Sequence, residues 1–156
     1  MSLEEDIQQQ QFKSEYHKLA VNILYTHGWL VSHLAESLRP SGVTIQQFNI
    51  LRILRGHYPE PATISTLRER MLDKMSDASR LVERLRTKGL LERRASTDDR
   101  RKVGVVITKK GLQLLESIDD LEKNTIALFA GISEEEARRT NKALDSLRGE
   151  EKKGRA

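Results

Sequence analysis

Three features of the sequence predict a mainly α fold built on a winged helix-turn-helix. They are a capped basic helix from Ser76, two β-prone runs directly behind it, and apolar residues in helical steps at both chain ends. The long N- and C-terminal helices are expected to form a dimerisation region. All 156 residues are read as one chain, with dimerisation helices over 10–39 and 109–148 flanking a winged segment over 43–108. Aromatic residues at 4% and charged residues at 32% suit a helical protein and not a β-sandwich.

From Phe12 to Leu38 apolar residues recur at Phe12, Tyr16, Leu19, Ile23, Leu30, Leu34 and Leu38, in steps of three or four with polar Thr26 or His27 filling one turn. This predicts one helix of about 27 residues and about 40 Å, whereas a compact chain of this size has a radius of gyration of about 15 Å. Such a helix overruns its own domain, so part of its stripe is expected to lie against a second copy in a homodimer. The alternative is a bent helix packed within the monomer. Pro40-Ser41-Gly42 ends it.

Thr44 and Gln47 form a capping box and Val43 and Phe48 a hydrophobic staple, opening a second helix to about Arg55, with Gly56 as terminator. After a loop with two prolines, Thr63 or Ile64 begins a short helix, and Leu72-Asp73-Lys74-Met75 links it to the next. There Ser76 is read as the N-cap and Asp77 as a first-turn acid favoured by the helix dipole. Ala78, Leu81, Val82 and Leu85 form the apolar stripe, and Gly89 supplies the left-handed residue that stops the helix. Leu90 to Arg94 and Val103 to Ile107 are the two strands, with a polar turn over 95–101. Thr108 caps a further helix that runs through Leu112, Leu115, Ile118, Leu121, Leu128 and Phe129 to Gly131. Ser133 and Glu136 form a capping box opening a last helix through Leu144 and Leu147, and a charged tail is expected to fray.

Nine Lys or Arg stand against four Asp or Glu from Arg80 to Lys102, a local net of +5 in a chain whose net charge is +4. The excess positive charge is therefore confined to one helix and the hairpin behind it, the electrostatic footprint of a phosphate-binding surface. The bland alternative is a solvated surface. No cysteine is present, which excludes disulfides and thiol-based sensing. No apolar run approaches 18 residues and the start, MSLEEDIQQQQ, is acidic and polar, so no membrane partner and a cytoplasmic location are expected. No phosphate-cradling glycine loop, metal motif or nucleophile elbow occurs, so neither an enzyme nor a cofactor is expected. His17, His27 and His33 are spaced by ten and six residues and do not share one helix face, which speaks against a metal site.

In this order the elements resemble the MarR family of bacterial transcriptional regulators. The resemblance spans about residues 12–148. It is most specific at Ser79-Arg80-Leu81-Val82-Glu83-Arg84-Leu85, Lys88-Gly89-Leu90-Leu91-Glu92-Arg93, Asp99-Arg100-Arg101 and Ile107-Thr108. It implies a homodimer whose recognition helices enter successive major grooves of a near-palindromic double-stranded DNA operator. Arg101 would enter the minor groove, braced by Asp99; a narrow A·T-rich groove attracts such an arginine. Base reading would fall to Asp77, Ser79, Arg80 and Arg84 near the leading end of the helix, with Ser76 beside them. Phosphate contact would fall to Arg86, Lys88, Arg93, Arg94, Arg100, Lys102 and Ser65.

The resemblance further implies a repressor released by a small aromatic or phenolic acid. Tyr25, Trp29 and His33 share a face of the first helix and are the candidate pocket, although packing explains them as well. The missing cysteine departs from the family's peroxide-sensing branch. The competing class is a winged-helix protein–protein interaction module without specific DNA binding. Such a module has no need of Asp99-Arg100-Arg101 on a +5 segment.

Overall fold

A computed structural model describes residues 2–95, 103–118 and 125–149. The chain divides into two compact units, residues 1–119 and 120–156.

In the first unit a short helix α1 (Leu3–Asp6) precedes α2 (Glu15–Leu38), and a 3-10 turn (Arg39–Ser41) follows. Helix α2 begins later than its apolar periodicity predicts. The Ser14 hydroxyl accepts from the His17 amide and sets the start, leaving 24 residues, about 36 Å. Phe12 lies ahead of the helix, its ring edge-on to His17 at 5.7 Å. Helix α3 (Ile45–His57) opens with the expected box, Thr44 and Gln47 each accepting from the other's backbone N–H at 3.2 Å. Gly56 does not end it: the helix runs to His57 and stops at Tyr58, whose extended ψ is the one that a following proline favours.

Helix α4 (Ile64–Arg70) is capped by Thr63 and α5 (Ala78–Thr87) by Asp77, which accepts from the Arg80 amide at 3.1 Å. Ser76 is therefore not the cap. Its hydroxyl is turned back to donate to the Asp73 carboxylate at 2.6 Å, which leaves the next residue to take the capping role. Gly89, at φ +72°, turns the chain out of α5 into β1 (Leu91–Ala95), which pairs antiparallel with β2 (Val103–Ile107), Leu91 opposite Ile107 and Ala95 opposite Val103.

A third segment, not foreseen, joins this ribbon: Ala62 and Val105 exchange backbone hydrogen bonds of 2.9 and 2.8 Å, so β2 is paired on both sides. Helix α6 (Lys109–Ser117) is capped by Thr108 as expected but ends at Ser117, well short of Phe129. A β-carbon at Gly111 would stand 2.3 Å from the Leu90 carbonyl oxygen, so α6 approaches the chain leaving α5 closely enough to require glycine.

The core of this unit is contributed by every element from α2 to α6. Leu38, Ile50, Leu51, Leu54, Leu67, Met71, Leu85, Leu91, Ile107 and Leu115 are all fully buried. Gln47 is the buried polar residue among those described. Its carbonyl oxygen is occupied by the Thr44 amide and by the Lys88 ammonium, so burying it leaves nothing unpaired.

In the second unit, a helical turn over 125–128 precedes α7 (Glu134–Gly149), whose box is closed by Ser133 and Glu136. Glu134–Arg138 and Glu135–Arg139 pair one turn apart along it, and no α7 residue is buried.

Candidate nucleic-acid interface

The segment α4–turn–α5–β1–β2 carries the predicted interface. Helix α5 has a sharply divided surface: Ala78, Val82 and Leu85 are buried in the core, which turns Ser79, Arg80, Glu83 and Arg84 outward. Asp77, at its leading end, is exposed and lies 4.0 Å from the Arg80 guanidinium, a weak screened pair. Ser65 is exposed on the first turn of α4 and points to the Glu69 carboxylate at 3.4 Å. Ser76 is half-buried and committed to Asp73.

The cations assigned to phosphate contact are not equally available. Arg86 is held by Glu83, its Nε at 3.1 Å from both carboxylate oxygens and Nη2 at 2.6 Å from one. Arg93 on β1 reaches the same carboxylate at 3.8 Å. The Arg86 guanidinium, with Arg93 adding to it, holds the Glu83 carboxyl below its ordinary pKa, and Glu83 in turn raises that of Arg86. Arg94 pairs with Glu92 at 2.8 Å.

Lys88 is turned into the fold. Its ammonium donates to the Gly42 carbonyl at 2.5 Å and to Gln47 at 3.3 Å, tying the end of α5 to the start of α3. Glu83 as a shared acceptor and Lys88 as a tether were both missed by counting charges. The signal for Glu83 was available, since Glu83 and Arg86 stand at i, i+3 on one helix. Between α5 and β1 a groove of about 590 Å³ is lined by Glu83, Arg86, Glu92 and Arg93. Asp99, Arg100, Arg101 and Lys102 lie outside the described residues.

The turn between α4 and α5 is fixed by its own polar side chains. Asp73 accepts from the Met75 amide at 2.9 Å and from the Ser76 hydroxyl, and these bonds, the hydroxyl first, hold its carboxyl below the ordinary value. Lys74 donates to the Glu69 carbonyl at 2.5 Å at the end of α4, and Asn49 on α3 accepts from the Leu72 amide at 3.0 Å. At the far end of α5, the Thr108 hydroxyl donates to the Gly89 carbonyl at 2.8 Å while accepting from the Gly111 amide, and Lys110 donates to the Lys88 carbonyl. Both ends of the helix are thus anchored, which sets its attitude to the rest of the unit.

Tyr25, Trp29 and His33 lie on α2 as expected. The Trp29 and His33 rings are 4.8 Å apart, and Trp29 is 37% exposed. A separate groove of about 630 Å³ lies further along α2, against the start of α3, with Ser32, Glu36, Arg39 and Thr44 in its lining. None of the three aromatic residues lines it. Among the described residues no three His, Asp or Glu side chains gather as a metal cluster, and no helix is long and apolar enough to cross a membrane.

Two helices joined by a fixed turn, the second basic and followed by a two-stranded ribbon, define a winged helix-turn-helix. Residues 41–102, which span this unit's centre, match the model of the MarR family. The HTH-type transcriptional repressor IacR of Pseudomonas putida is 25% identical over 120 residues, 76% of this chain and 71% of its own.

Among solved structures, an organohalide-sensing regulator in its 2,4-dichlorophenol-bound form aligns with a TM-score of 0.77 at 21% identity, covering 91% of this chain and 86% of that one. The MepR–DNA complex of S. aureus gives 0.72 at 18%, covering 84% and 94%. CouR of Rhodococcus jostii bound to p-coumaroyl-CoA gives 0.72 at 18%, covering 87% and 95%. These likenesses establish the fold.

Proposed function

We propose that the protein is a homodimeric repressor that binds a near-palindromic operator and is released by a small aromatic or phenolic acid. The observation that carries this reading is the division of α5: one face fully buried, the other exposing Ser79, Arg80 and Arg84, immediately ahead of a basic ribbon. A helix so mounted reads base edges from its leading residues while the cations around it hold phosphates. Asp77, at the leading end, is already occupied as the cap, so Ser79, Arg80 and Arg84 are the stronger readers. Asp99, Arg100, Arg101 and Lys102 keep the roles that the family resemblance gives them, with Arg101 in the minor groove.

Dimerisation is supported by α2. Leu38 is its one buried residue among 24, and Tyr16, Leu19, Leu24, Tyr25, Trp29 and Val31 are exposed along it. So many large apolar side chains left exposed on one long helix mark an association surface. A chlorinated phenol bound by one relative and a coumaroyl thioester by another support an aromatic effector. Tyr25, Trp29 and His33 would take its ring.

The test is binding of the purified protein to its own upstream intergenic DNA and to random duplex of equal length, over a salt series, with the stoichiometry measured. Tight binding of one dimer to the upstream DNA alone is expected. Equal, weak binding to both duplexes would favour the protein–protein interaction module. An Arg101→Ala variant with undiminished operator affinity would remove the wing from the reading.

A further inference from the structure

In most surface turns the polar side chains face water and the apolar ones are buried. The turn between α4 and α5 is inverted. Asp73, Lys74 and Ser76 spend their polar atoms within the turn and on the end of α4: Asp73 accepts from the Met75 amide and the Ser76 hydroxyl, Lys74 donates to the Glu69 carbonyl, and Asn49 accepts from the Leu72 amide. The side chains left outside are Leu72, 83% exposed, and Met75, 94% exposed. Single exposed apolar residues are ordinary. A rigid turn whose polar residues all serve to present two of them is not explained by solubility or by packing.

Met75 stands two residues ahead of the Asp77 cap, at the end of α5 that leads into a major groove. Apolar groups have one partner there, the 5-methyl of thymine. Arg68 and Arg80 are exposed on either side of the turn in sequence, so the phosphates flanking that groove would meet positive charge. An unbranched thioether chain also adapts its shape to a methyl whose position varies with local DNA geometry.

We infer that Met75 is a specificity-determining residue, reading a thymine methyl in each half-site by apolar contact. The inference rests on the DNA-binding reading above and adds a base identity to it.

The experiment begins with duplexes enriched by this protein from a random DNA pool. Each thymine of the enriched site is then replaced in turn by deoxyuridine, which removes only the 5-methyl, and affinities are measured for the wild type, Met75→Ala and Leu72→Ala. The expected wild-type loss is about fourfold at one thymine per half-site, the worth of one buried methyl. Met75→Ala should bind the thymine and uracil duplexes equally, while Leu72→Ala keeps the discrimination. A wild type indifferent to every uracil, a Met75→Ala protein that still discriminates, or transfer of the effect to Leu72→Ala overturns the inference while leaving DNA binding intact. Failure to enrich any sequence overturns the DNA-binding reading itself, and the inference with it. Both side chains lie outside the core, so the variants test recognition and not folding.

Discussion

Replacing Glu83 by glutamine separates the two demands made on the recognition surface. In the free protein the Glu83 carboxylate occupies Arg86 through three short contacts and attracts Arg93 from 3.8 Å. A DNA phosphate must compete with it for both guanidiniums. Glu83→Gln keeps the size and removes the charge, leaving two cations free for phosphate. Each phosphate so neutralised steepens the fall of log affinity with log salt by about 0.9, and two by about 1.8. Between about 50 and 200 mM salt, a fourfold change, the variant's advantage over the wild type should shrink about 12-fold.

Fluorescence anisotropy with a labelled random-sequence duplex at three salt concentrations measures this directly. Because phosphate contacts carry no sequence information, specific and random binding should gain alike and their ratio should stay about the same. Thermal stability should hardly move, since exposed ion pairs contribute little. An unchanged salt slope, or a variant that binds random DNA more weakly, would refute the argument that Glu83 holds these arginines back.

Three further outcomes follow from the same geometry. Leu85, fully buried on the inner face of α5, should cost about 2 to 5 kcal/mol when cut to alanine, read from urea unfolding; a cost well under 1 kcal/mol would mean that α5 is not packed as described. Asp77→Ala should lose about 1 kcal/mol and expose the Arg80 amide to hydrogen exchange, whereas Ser76→Ala should leave that amide protected; the reverse pattern would restore Ser76 as the cap. The bonds that depress the Asp73 pKa contribute stability that is complete above its unfolded value of about 3.9 and is lost as pH falls through the lower folded value. The Met75 amide resonance should therefore hold steady from pH 7 to about 5 and shift with a midpoint below about 3.9; a midpoint above that value would contradict the bonding.

What the sequence disclosed was local. Thr44, Thr108 and Ser133 were legible as caps because a cap is decided within three or four residues. The start of α2 was legible too, for Ser14 carries the same signal and was outweighed by the apolar phase of Phe12. The shift from Ser76 to Asp77 was not, because it depends on Asp73 drawing the Ser76 hydroxyl backwards, a choice between two adequate caps made by a third residue. Pairings between distant positions left no pattern at all. The Ala62–Val105 bridge involves single residues 43 apart, and Lys88 meets Gly42 and Gln47 across 46 and 41 residues. Charge density singled out α5 and the ribbon, yet it could not distinguish a cation offered to solvent from one already held by a carboxylate or a carbonyl.

The bridge at Ala62 has a consequence for how this chain behaves in a crowded solution. With β1 on one side and Ala62 on the other, the middle of β2 has no backbone left to offer a neighbouring molecule. Among the described residues the open edge of the ribbon belongs to β1, where Glu92, Arg93 and Arg94 are exposed in succession. Charged side chains along an unpaired edge discourage a second strand from adding there. The ribbon is thereby guarded against sticking to its own kind.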